Sequence, residues 1–374
     1  MHFKEIRHYL HQHPELSGEE KNTSSYLLNQ LKKIENCTVH QGFSEHSLLA
    51  ELNFKKPGKT ILFRAELDSL PIAEKNEFSY ASKAENISHK CGHDGHMTML
   101  LFLAKKLEQE PISSGKVLLL FQSSEETGEG AQRILASKKL EEFSIDFAFS
   151  LHNVPGYKKS SIITKAGSFT PSVESVDIQL TGKTSHAGMP EKGINPALAV
   201  SEIIQYLNEI DCKKTTDKNY FLATPIQVKM GKPAYGTSAG EALISYTFRT
   251  WKHDNFITKK EALIGAINTI SKKHELYIQW NWKESFQANY NAEEAFNMIK
   301  EAAKEIQLNF IEKEMPFSWG EDFGSFTQKY KGAMFGLGAG ENCPELHNPD
   351  YDFPDEIAEN GVNLFYSLAK KALS

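Results

Sequence analysis

Long apolar runs, a disulfide framework and an excess of positive charge are all missing from this sequence of 374 residues. The longest strongly apolar run, residues 97–104, is much shorter than the roughly 20 residues that cross a bilayer. The N-terminal segment is polar and amphipathic, without the apolar core of a signal peptide. Cysteines as far apart as these suit a reducing compartment, and the four are Cys37, Cys91, Cys212 and Cys343. We therefore expect a soluble protein of the cytoplasm, with no membrane partner.

The balance of charge limits the partners further. There are 42 basic and 48 acidic side chains, which gives a net charge of −6. Phosphate binding needs a concentrated basic surface, so we do not expect nucleic acid as a partner. With 40% hydrophobic and 24% charged residues, the composition is that of a globular protein of two domains, or of one large domain.

The first half of the chain alternates apolar runs with helical periodicity. The apolar runs are nearly continuous, which is typical of strands covered on both faces in an α/β sheet. The predicted strands are residues 48–52, 60–64, 117–122 and 145–151. The predicted helices are residues 3–12, 19–33, 97–108 and 131–140. This half of the chain is therefore predicted to form α/β layers.

The pattern changes near residue 165, where apolar residues begin to alternate with polar ones. The next predicted elements follow the βαββαβ order of a ferredoxin-like sandwich, over residues 176–180, 196–210, 221–230, 242–250, 259–273 and 276–282. Asn195 is the candidate cap of the first of these helices. The remaining elements complete the first domain, and they are residues 293–305, 333–337 and 357–372. We predict one domain of residues 1–165 and 285–374, into which residues 166–284 are inserted.

Polar side chains that can carry chemistry follow the predicted strands. In open α/β sheets, ligands bind at the carboxyl ends of the strands. The candidate segments are Arg64-Ala-Glu-Leu-Asp68, Cys91-Gly-His-Asp-Gly-His96, Ser124-Glu-Glu-Thr127, Leu151-His-Asn153 and Glu345-Leu-His-Asn-Pro349.

Cys91 and His93 lie in a glycine-containing turn ahead of a predicted helix. A thiolate and an imidazole two residues apart can chelate a metal, and a helix N-terminus would lower the thiol pKa. Two other interpretations stay open. One is a buried thiol with a capping histidine, and the other is a cysteine nucleophile with His93 as its base.

Glu125 and Glu126 follow a predicted core strand. Adjacent carboxylates repel there unless a cation or a proton relieves them. With metal present, one can coordinate it while the other takes a proton from water. The alternative is a solvated acidic loop, which Glu129 would extend.

His152 follows an apolar run, and His347 lies in a polar loop. Each of them alone is more often a core histidine than a ligand. Their coincidence with the cysteine, histidine and glutamate positions favours a metal site, and five ligands exceed the three or four that one zinc takes. The sequence therefore favours two ions that share a ligand and a water.

Seven segments carry a family resemblance, and in chain order they are Leu10-His-Gln-His-Pro-Glu-Leu16, Asp68-Ser-Leu-Pro-Ile72, Cys91-Gly-His-Asp-Gly-His96, Phe121-Gln-Ser-Ser-Glu-Glu126, Leu151-His-Asn153, Gly320-Glu-Asp-Phe323 and Leu346-His-Asn-Pro-Asp-Tyr-Asp-Phe353. With them the chain resembles the co-catalytic-metal aminoacylase/carboxypeptidase family. The resemblance is to its amidohydrolase branch of hippurate hydrolases, indole-acetyl-amino-acid hydrolases and N-acetyl-diaminopimelate deacetylases. It implies a zinc-peptidase-like catalytic domain, with a mixed sheet between helices, and an inserted lid and dimerisation domain.

The resemblance also implies a role for each matching residue. The implied ligands of two divalent metal ions per chain, with the cysteine as a bridging thiolate, are Cys91, His93, Glu126, His152 and His347. Glu125 is the implied general base, and Asp68 would orient a ligand histidine. His186 matches a histidine that supports the oxyanion, often from the neighbouring subunit, and a lid-surface histidine is the alternative. Arg249 could hold a substrate carboxylate through a bidentate pair, although a solvated arginine fits equally well.

The chain departs from the family's pattern at three places. Glu66 stands where the branch usually carries aspartate, and Ser238-Ala-Gly-Glu241 replaces an Asn-Val-Ile-Pro-Asp lid motif. Lys183-Thr-Ser185 replaces a glycine-rich stretch ahead of the lid histidine. Glu66 is one methylene longer and lies close to the implied metal site. Because the lid contacts the substrate in this family, the two lid changes bear on the substrate class.

The implied activity is hydrolysis of the amide bond of N-acyl amino acids, through a hydroxide held between the metals, to a carboxylate and a free amino acid. The alternatives are a dipeptidase or carboxypeptidase on the same site, a Cys91–His93 thiol hydrolase, and a metal-holding protein without catalysis. The ligands favour zinc, with manganese, cobalt and nickel as the other candidates. An edge strand in the small sheet favours a homodimer through the inserted domain.

Overall fold

The computed structural model describes residues 2–217 and 219–373, which divide into two units. The first unit holds residues 2–169, 289–316 and 321–373. The second unit holds Thr170–Ala288 and Phe317–Gly320. The insertion expected from the sequence, residues 166–284, begins and ends four residues earlier than the main segment of the second unit, and it does not include the short segment.

Helices and strands alternate through most of the chain. The helices are α1 (Phe3–Gln12), α2 (Lys21–Leu31), α3 (His93–Gln109), α4 (Gly130–Ala136), α5 (Ala197–Ile210), α6 (His253–Lys273), α7 (Glu293–Glu305), α8 (Gly324–Lys329) and α9 (Ala358–Leu373). The strands are β1 (Cys37–Gln41), β2 (Leu48–Asn53), β3 (Lys56–Glu66), β4 (Ser114–Gln122), β5 (Phe147–Pro155), β6 (Ile162–Thr164), β7 (Gly167–Thr170), β8 (Ser172–Thr181), β9 (Ser185–His186), β10 (Leu222–Met230), β11 (Thr237–Ser238), β12 (Glu241–Thr250), β13 (Tyr277–Phe286), β14 (Asn289–Asn291), β15 (Phe310–Glu312) and β16 (Gly332–Gly340). Within the described ranges, none of these helices combines the length and apolar character that crossing a bilayer requires.

The first unit is built on an eight-stranded mixed sheet with the order β1-β2-β4-β3-β5-β16-β6-β15. Its four middle strands, β4, β3, β5 and β16, are parallel to one another. Their carboxyl ends therefore lie along the same edge of the sheet, where the polar segments follow. The predicted α/β class with a mixed sheet is confirmed.

Both faces of this sheet are buried, which explains the nearly continuous apolar runs. Ile61 and Phe63 in β3 point to one face and belong to a core that also contains residues of α1, α2, α3, α7 and α9. Leu62, which points to the opposite face, is fully buried as well. Each buried side chain of this size stabilises the fold by about 1.5–3 kcal/mol relative to an exposed one.

Helix α3 begins at His93, four residues before the start that periodicity predicted. Gly92 precedes it with φ +96°, a left-handed conformation that glycine adopts without strain. Helix α4 ends at Ala136 rather than at residue 140, because Lys138 adopts φ +60° and a 3-10 turn, Lys139–Phe143, follows.

The second unit contains an antiparallel four-stranded sheet with the order β10-β12-β8-β13. Its chain order, β8-α5-β10-β12-α6-β13, is the predicted βαββαβ. Residues of α5 and α6 form the core together with one face of these strands. The Asn195 side chain accepts a hydrogen bond from Ala197 N–H at the start of α5, as a capping residue does.

Two contacts explain why Phe317–Gly320 belongs to the second unit. Arg249 Nε donates a hydrogen bond to the Ser318 carbonyl (3.2 Å). The Gly320 backbone lies so close to Phe286 that a Cβ there would be 3.1 Å from the ring. Periodicity carries no signal for contacts of this kind, so the sequence placed this segment with the first domain.

Candidate metal centre

The edge of the large sheet brings together side chains from separate parts of the first unit. Strands β3, β4 and β5 and the loops after them supply carboxylates and a histidine, the turn into α3 supplies a thiol and an imidazole, and the loop after β16 supplies one more histidine. These side chains are Asp68, Cys91, His93, Glu125, Glu126, His152 and His347.

Two groups of three ligand atoms share the Cys91 thiol. One group adds His93 and His152, and the other adds Glu126 and His347. Within each group all ligand atoms lie within 4.8 Å of one another. Cys91 Sγ is 3.3 Å from His152 Nε2, and Glu126 Oε2 is 3.7 Å from His347 Nε2. A sulfur common to both groups is the arrangement that a bridging ligand between two ions requires.

His93 is oriented by Asp68. Its Nδ1 donates to the Asp68 carbonyl oxygen (2.9 Å) and lies 3.3 Å from Asp68 Oδ1, so Nε2 faces the other ligands. Burial of His93 opposes its charged form, but the hydrogen bond to Asp68 and the charge of Glu66 outweigh this and raise the pKa of His93 to about 10. Although burial opposes it, the contact with His93 lowers the pKa of Asp68.

Among the candidate ligands, two buried side-chain atoms have no hydrogen-bond partner in the described residues, His93 Nε2 and Glu126 Oε1. They lie 3.8 Å apart. Burying a polar atom without a partner is costly, and one cation in each of the two groups would satisfy both atoms. The donor set of thiolate, imidazole and carboxylate is one that zinc and related divalent ions accept. The residues therefore fit the metal centre that the sequence predicts.

The other two histidines reach the centre in different ways. His152 lies within β5 and its Nδ1 donates to the Asn153 carbonyl oxygen (2.8 Å), so that Nε2 points towards Cys91. His347 adopts φ +67°, and its N–H donates to the Lys90 carbonyl (2.8 Å). The His347 side chain is 52% exposed, so this side of the centre is open to solvent.

The glycines of the Cys91–His96 turn are required by their surroundings. A Cβ on Gly92 would lie 2.1 Å from Asn153 Oδ1, and one on Gly95 would lie 2.4 Å from the Phe353 ring. Contacts that short do not occur between real atoms. Only glycine at both positions therefore lets the thiol and the first residue of α3 meet the ends of the strands.

Glu125 is buried beside the ligands without belonging to either group that shares Cys91. Its Oε1 accepts the Asp322 N–H (3.3 Å), and its Oε2 lies 4.0 Å from His93 Nε2. Burial, with Glu321, Glu126 and Asp322 nearby, raises the pKa of Glu125 well above its usual range. A carboxylate with a raised pKa beside a metal centre suits a general base.

The Cys91 thiol does not have the environment of a nucleophile. Burial, followed by the charges of Glu126 and Glu125, raises its pKa well above the ordinary value. Reactive cysteines lie among positive groups that lower the pKa. The surroundings therefore disfavour a thiol hydrolase, and the thiol needs a cation to ionise.

The turn into α3 is held by a buried hydrogen-bond network that the sequence did not indicate. Asp94 accepts hydrogen bonds from His11 Nδ1 (2.8 Å) and from Arg7 (3.2 Å). His11 Nε2 also lies 3.0 Å from Glu74 Oε1. All of these side chains are buried or nearly so. His11 belongs to the N-terminal motif, but its spacing alone does not indicate which carboxylates it would meet.

Glu66, the departure from the family's aspartate, also lies behind the ligands. Its Oε2 accepts a hydrogen bond from His96 Nδ1 (2.8 Å), and its Oε1 forms an ion pair with Arg64. His96 packs edge to face against the His152 ring, with 4.7 Å between the ring centroids. The longer Glu66 side chain therefore links the buried Arg64 to His96, the histidine that packs against the candidate ligand His152.

His186 and Arg249 are parts of the second unit. His186 lies in β9, exposed and paired with Thr237, and its Nδ1 accepts the Gly188 N–H (3.0 Å). Arg249 is half-buried at the end of β12 and bonded to Ser318. Neither belongs to the groups of ligand atoms described above.

Comparison with known proteins identifies the relatives of this chain. The model of peptidase family M20/M25/M40 matches residues 62–371. Hippurate hydrolase of Campylobacter jejuni is 30% identical over 99% of this chain and 96% of its own length. N-acetyl-L-cysteine deacetylase of Bacillus subtilis is 28% identical over 98% of this chain and 87% of its own length.

A solved structure shares the fold. A dinuclear metal-binding peptidase of the M20 family from Bacillus subtilis superposes with a TM-score of 0.84. The match covers 99% of this chain and 97% of that one, at 24% sequence identity.

Proposed function

This chain belongs to peptidase family M20/M25/M40, and on that premise we propose that it hydrolyses the amide bond of N-acyl amino acids. One observation carries the proposal: two groups of ligand atoms share Cys91 Sγ, with the buried carboxylate of Glu125 beside them. The relatives named hippurate hydrolase and N-acetyl-L-cysteine deacetylase support an N-acyl amino acid as the substrate. The reaction consumes one water and yields a carboxylate and a free amino acid.

Two divalent ions would be held by Cys91, His93, Glu126, His152 and His347. When bound, the ions would polarise the substrate carbonyl and lower the pKa of water. We propose zinc, because thiolate and imidazole ligands suit it. We also propose a cytoplasmic location, because all four cysteines are free and the shared thiol must stay reduced.

Glu125 moves the proton in this mechanism. Its Oε1 is held by the Asp322 N–H, so Oε2 is the atom that takes a proton from the attacking water. The raised pKa lets the carboxylate keep that proton until the amide nitrogen leaves and receives it. Asp68 keeps His93 in the tautomer that presents Nε2.

The second unit would contribute contacts to the substrate. The Gly188 N–H donates to His186 Nδ1, so in a neutral ring the proton is on Nε2, which can donate to the oxyanion. Arg249 Nε is bonded to the Ser318 carbonyl, and we propose the Nη groups as the donors to a substrate carboxylate. Both roles rest on the family resemblance together with this hydrogen bonding.

The test measures metal content per chain and the release of free amino acid from N-acetyl, N-benzoyl and aminoacyl derivatives. We expect about two ions per chain, and hydrolysis that stops on chelation and returns when metal is restored. Glu125→Gln should keep its metal while it loses turnover. Preference for aminoacyl derivatives would identify a dipeptidase instead, and hydrolysis by the fully metal-free protein would refute the two-ion mechanism.

We further propose that the second unit forms a homodimer through β10. This strand is an edge of its sheet, and three of its apolar side chains, Ile226, Val228 and Met230, are 63%, 47% and 42% exposed. Exposed apolar edge strands pair readily with another chain, and a second copy supplies an identical edge.

Sedimentation of Val228→Lys tests the dimer. A lysine on the edge strand should convert a wild-type dimer to a monomer. Tyr277→Lys is the matched control, because Tyr277 is 64% exposed on β13, the opposite edge of the same sheet. A monomeric wild-type protein, or a Val228→Lys variant that stays dimeric, would contradict the proposal.

A further inference from the structure

The turn that carries Glu125 is held by side chains from three other segments. We call residues 123–126, which directly follow β4, the acidic turn. Its first N–H donates to Ser47 Oγ (3.0 Å), its second to Glu20 Oε1 (2.7 Å) and its fourth to Asp68 Oδ2 (2.9 Å). These three acceptors fix the main chain on either side of the general base.

The second residue of the acidic turn, Ser124, adopts a strained conformation. Its φ is +58°, in the left-handed region that residues other than glycine rarely occupy. Such a conformation persists only where the surrounding structure holds it in place. Ser124 directly precedes Glu125, so its backbone angles determine where both glutamates of the turn point.

Glu20 is the acceptor that meets this strained residue. Its side chain is fully buried at the start of α2, and its Oε2 has no hydrogen-bond partner among the described residues. Burial, followed by the charge of Asp68, raises the pKa of Glu20 to about 7. A carboxyl group at such a place is costly to bury. Glu15, rather than Glu20, accepts the N–H groups of Asn22 and Thr23 in the first turn of α2. The Glu20 carboxyl also accepts hydrogen bonds from the backbone of Gly18 and of Glu20 itself, so it ties the start of α2 to the acidic turn.

We propose that Glu20 is a positioning residue for the hydrolysis, which holds Ser124 in its left-handed conformation and so aims Glu125 and Glu126. The inference rests on the proposed function, in which Glu125 is the base and Glu126 a metal ligand. Glu20 acts through the turn and touches neither substrate nor metal in this role. What matters is the acceptor oxygen rather than the charge.

Four variants and one control test this role. Glu20→Gln keeps the acceptor oxygen, and Glu20→Ala removes it. Ser124→Gly removes the strain, because glycine adopts positive φ freely. The double variant Glu20→Ala/Ser124→Gly asks whether relief of strain replaces the missing acceptor. Glu19→Ala is the matched control, since Glu19 is the exposed neighbour of Glu20.

Each variant is measured for kcat, for KM with an N-acyl amino acid, for zinc affinity by competition with a chelator, and for its melting temperature. Because a misplacement of about 1 Å can cost about 100-fold in rate, we expect Glu20→Ala to lower kcat by about 10- to 100-fold with a small change in KM. Its zinc affinity should fall as well, since Glu126 moves with the turn. Glu20→Gln should stay within about threefold of wild type, because the hydrogen bond to Ser124 is kept.

The double variant decides between positioning and a purely structural role. If Glu20 holds the turn, Ser124→Gly should restore about tenfold or more of the kcat that Glu20→Ala loses, together with the zinc affinity. No rescue, or a Glu20→Ala variant with native kcat and zinc affinity, would overturn the proposal. If the wild-type protein hydrolyses no amide, the proposed function fails, and the zinc affinities of the same variants still test the positioning of Glu126.

Discussion

His11 supplies a sharp test of the network behind the turn into α3. Its Nδ1 is 2.8 Å from Asp94 Oδ2 and its Nε2 is 3.0 Å from Glu74 Oε1. Both nitrogens can donate only in the protonated imidazolium. Burial opposes this form, but the bonds to Asp94 and Glu74 outweigh it and raise the pKa of His11 to about 9.

The size of the effect follows from that pKa. A folded-state pKa of about 9 against the ordinary value of 6.5 corresponds, at 1.36 kcal/mol per pKa unit, to about 3 kcal/mol of stability. Because the pKa is raised on folding, this contribution is fully present below the unfolded value of 6.5 and is lost as the pH rises through 9. The protonated ring therefore stabilises the fold at neutral and mildly acidic pH.

The assay compares urea unfolding of wild type and His11→Gln across this range. The pH-dependent part of the difference in unfolding free energy should be about 3 kcal/mol at about pH 6, about 2 kcal/mol at about pH 7.5 and close to zero at about pH 10. His13→Gln is the matched control, because His13 is exposed two residues further along and its loss should leave stability nearly unchanged. A difference between wild type and His11→Gln that stays constant with pH would refute the imidazolium.

Three further predictions concern the centre itself. Glu125→Gln should lower kcat by about 100- to 10,000-fold while two ions remain bound, measured by single-turnover kinetics and metal analysis. Gly92→Ala should reduce metal content, because its Cβ would lie 2.1 Å from Asn153 Oδ1. The control is Gly265→Ala in α6, where the added Cβ meets open space. This control should leave metal content unchanged and raise the free energy of unfolding by up to about 1 kcal/mol. Arg64→Met should strongly destabilise the protein in urea unfolding, by about 3–5 kcal/mol, because it leaves Glu66 and Asp322 buried without their cation.

Apolar patterning was sufficient to predict most of the large sheet. Residues 117–122 lie within β4 and residues 48–52 within β2, because strands buried on both faces must be apolar throughout. Strand β1 was missed because it is short and only partly buried, so it lacks that signature. The start of α3 was placed four residues late because the glycine turn ahead of it breaks the helical period.

The proximity of the candidate metal-binding side chains could be predicted because their chemistry is conspicuous in the sequence. A cysteine, a paired glutamate and histidines after apolar runs are unusual at strand ends, and Cys91 does meet His93 and His152 in one group and Glu126 and His347 in another. The residues that hold them carry no such signal. Glu20 bonds to the main chain of Ser124 across 104 residues of sequence, and no local pattern reports a contact of that kind.

The order of the strands in the large sheet has a consequence for synthesis of the chain. Strand β16 pairs with β5 and β6 in the interior of the sheet, although it comes near the end of the sequence. A ribosome-bound chain that lacks it has a gap between two strands, whereas the continuous segment Thr170–Ala288 can fold earlier. His347 emerges after β16, so the last candidate ligand of the proposed metal centre arrives only when the sheet can close. A nascent chain would thereby be kept from assembling the complete proposed site before its core is whole.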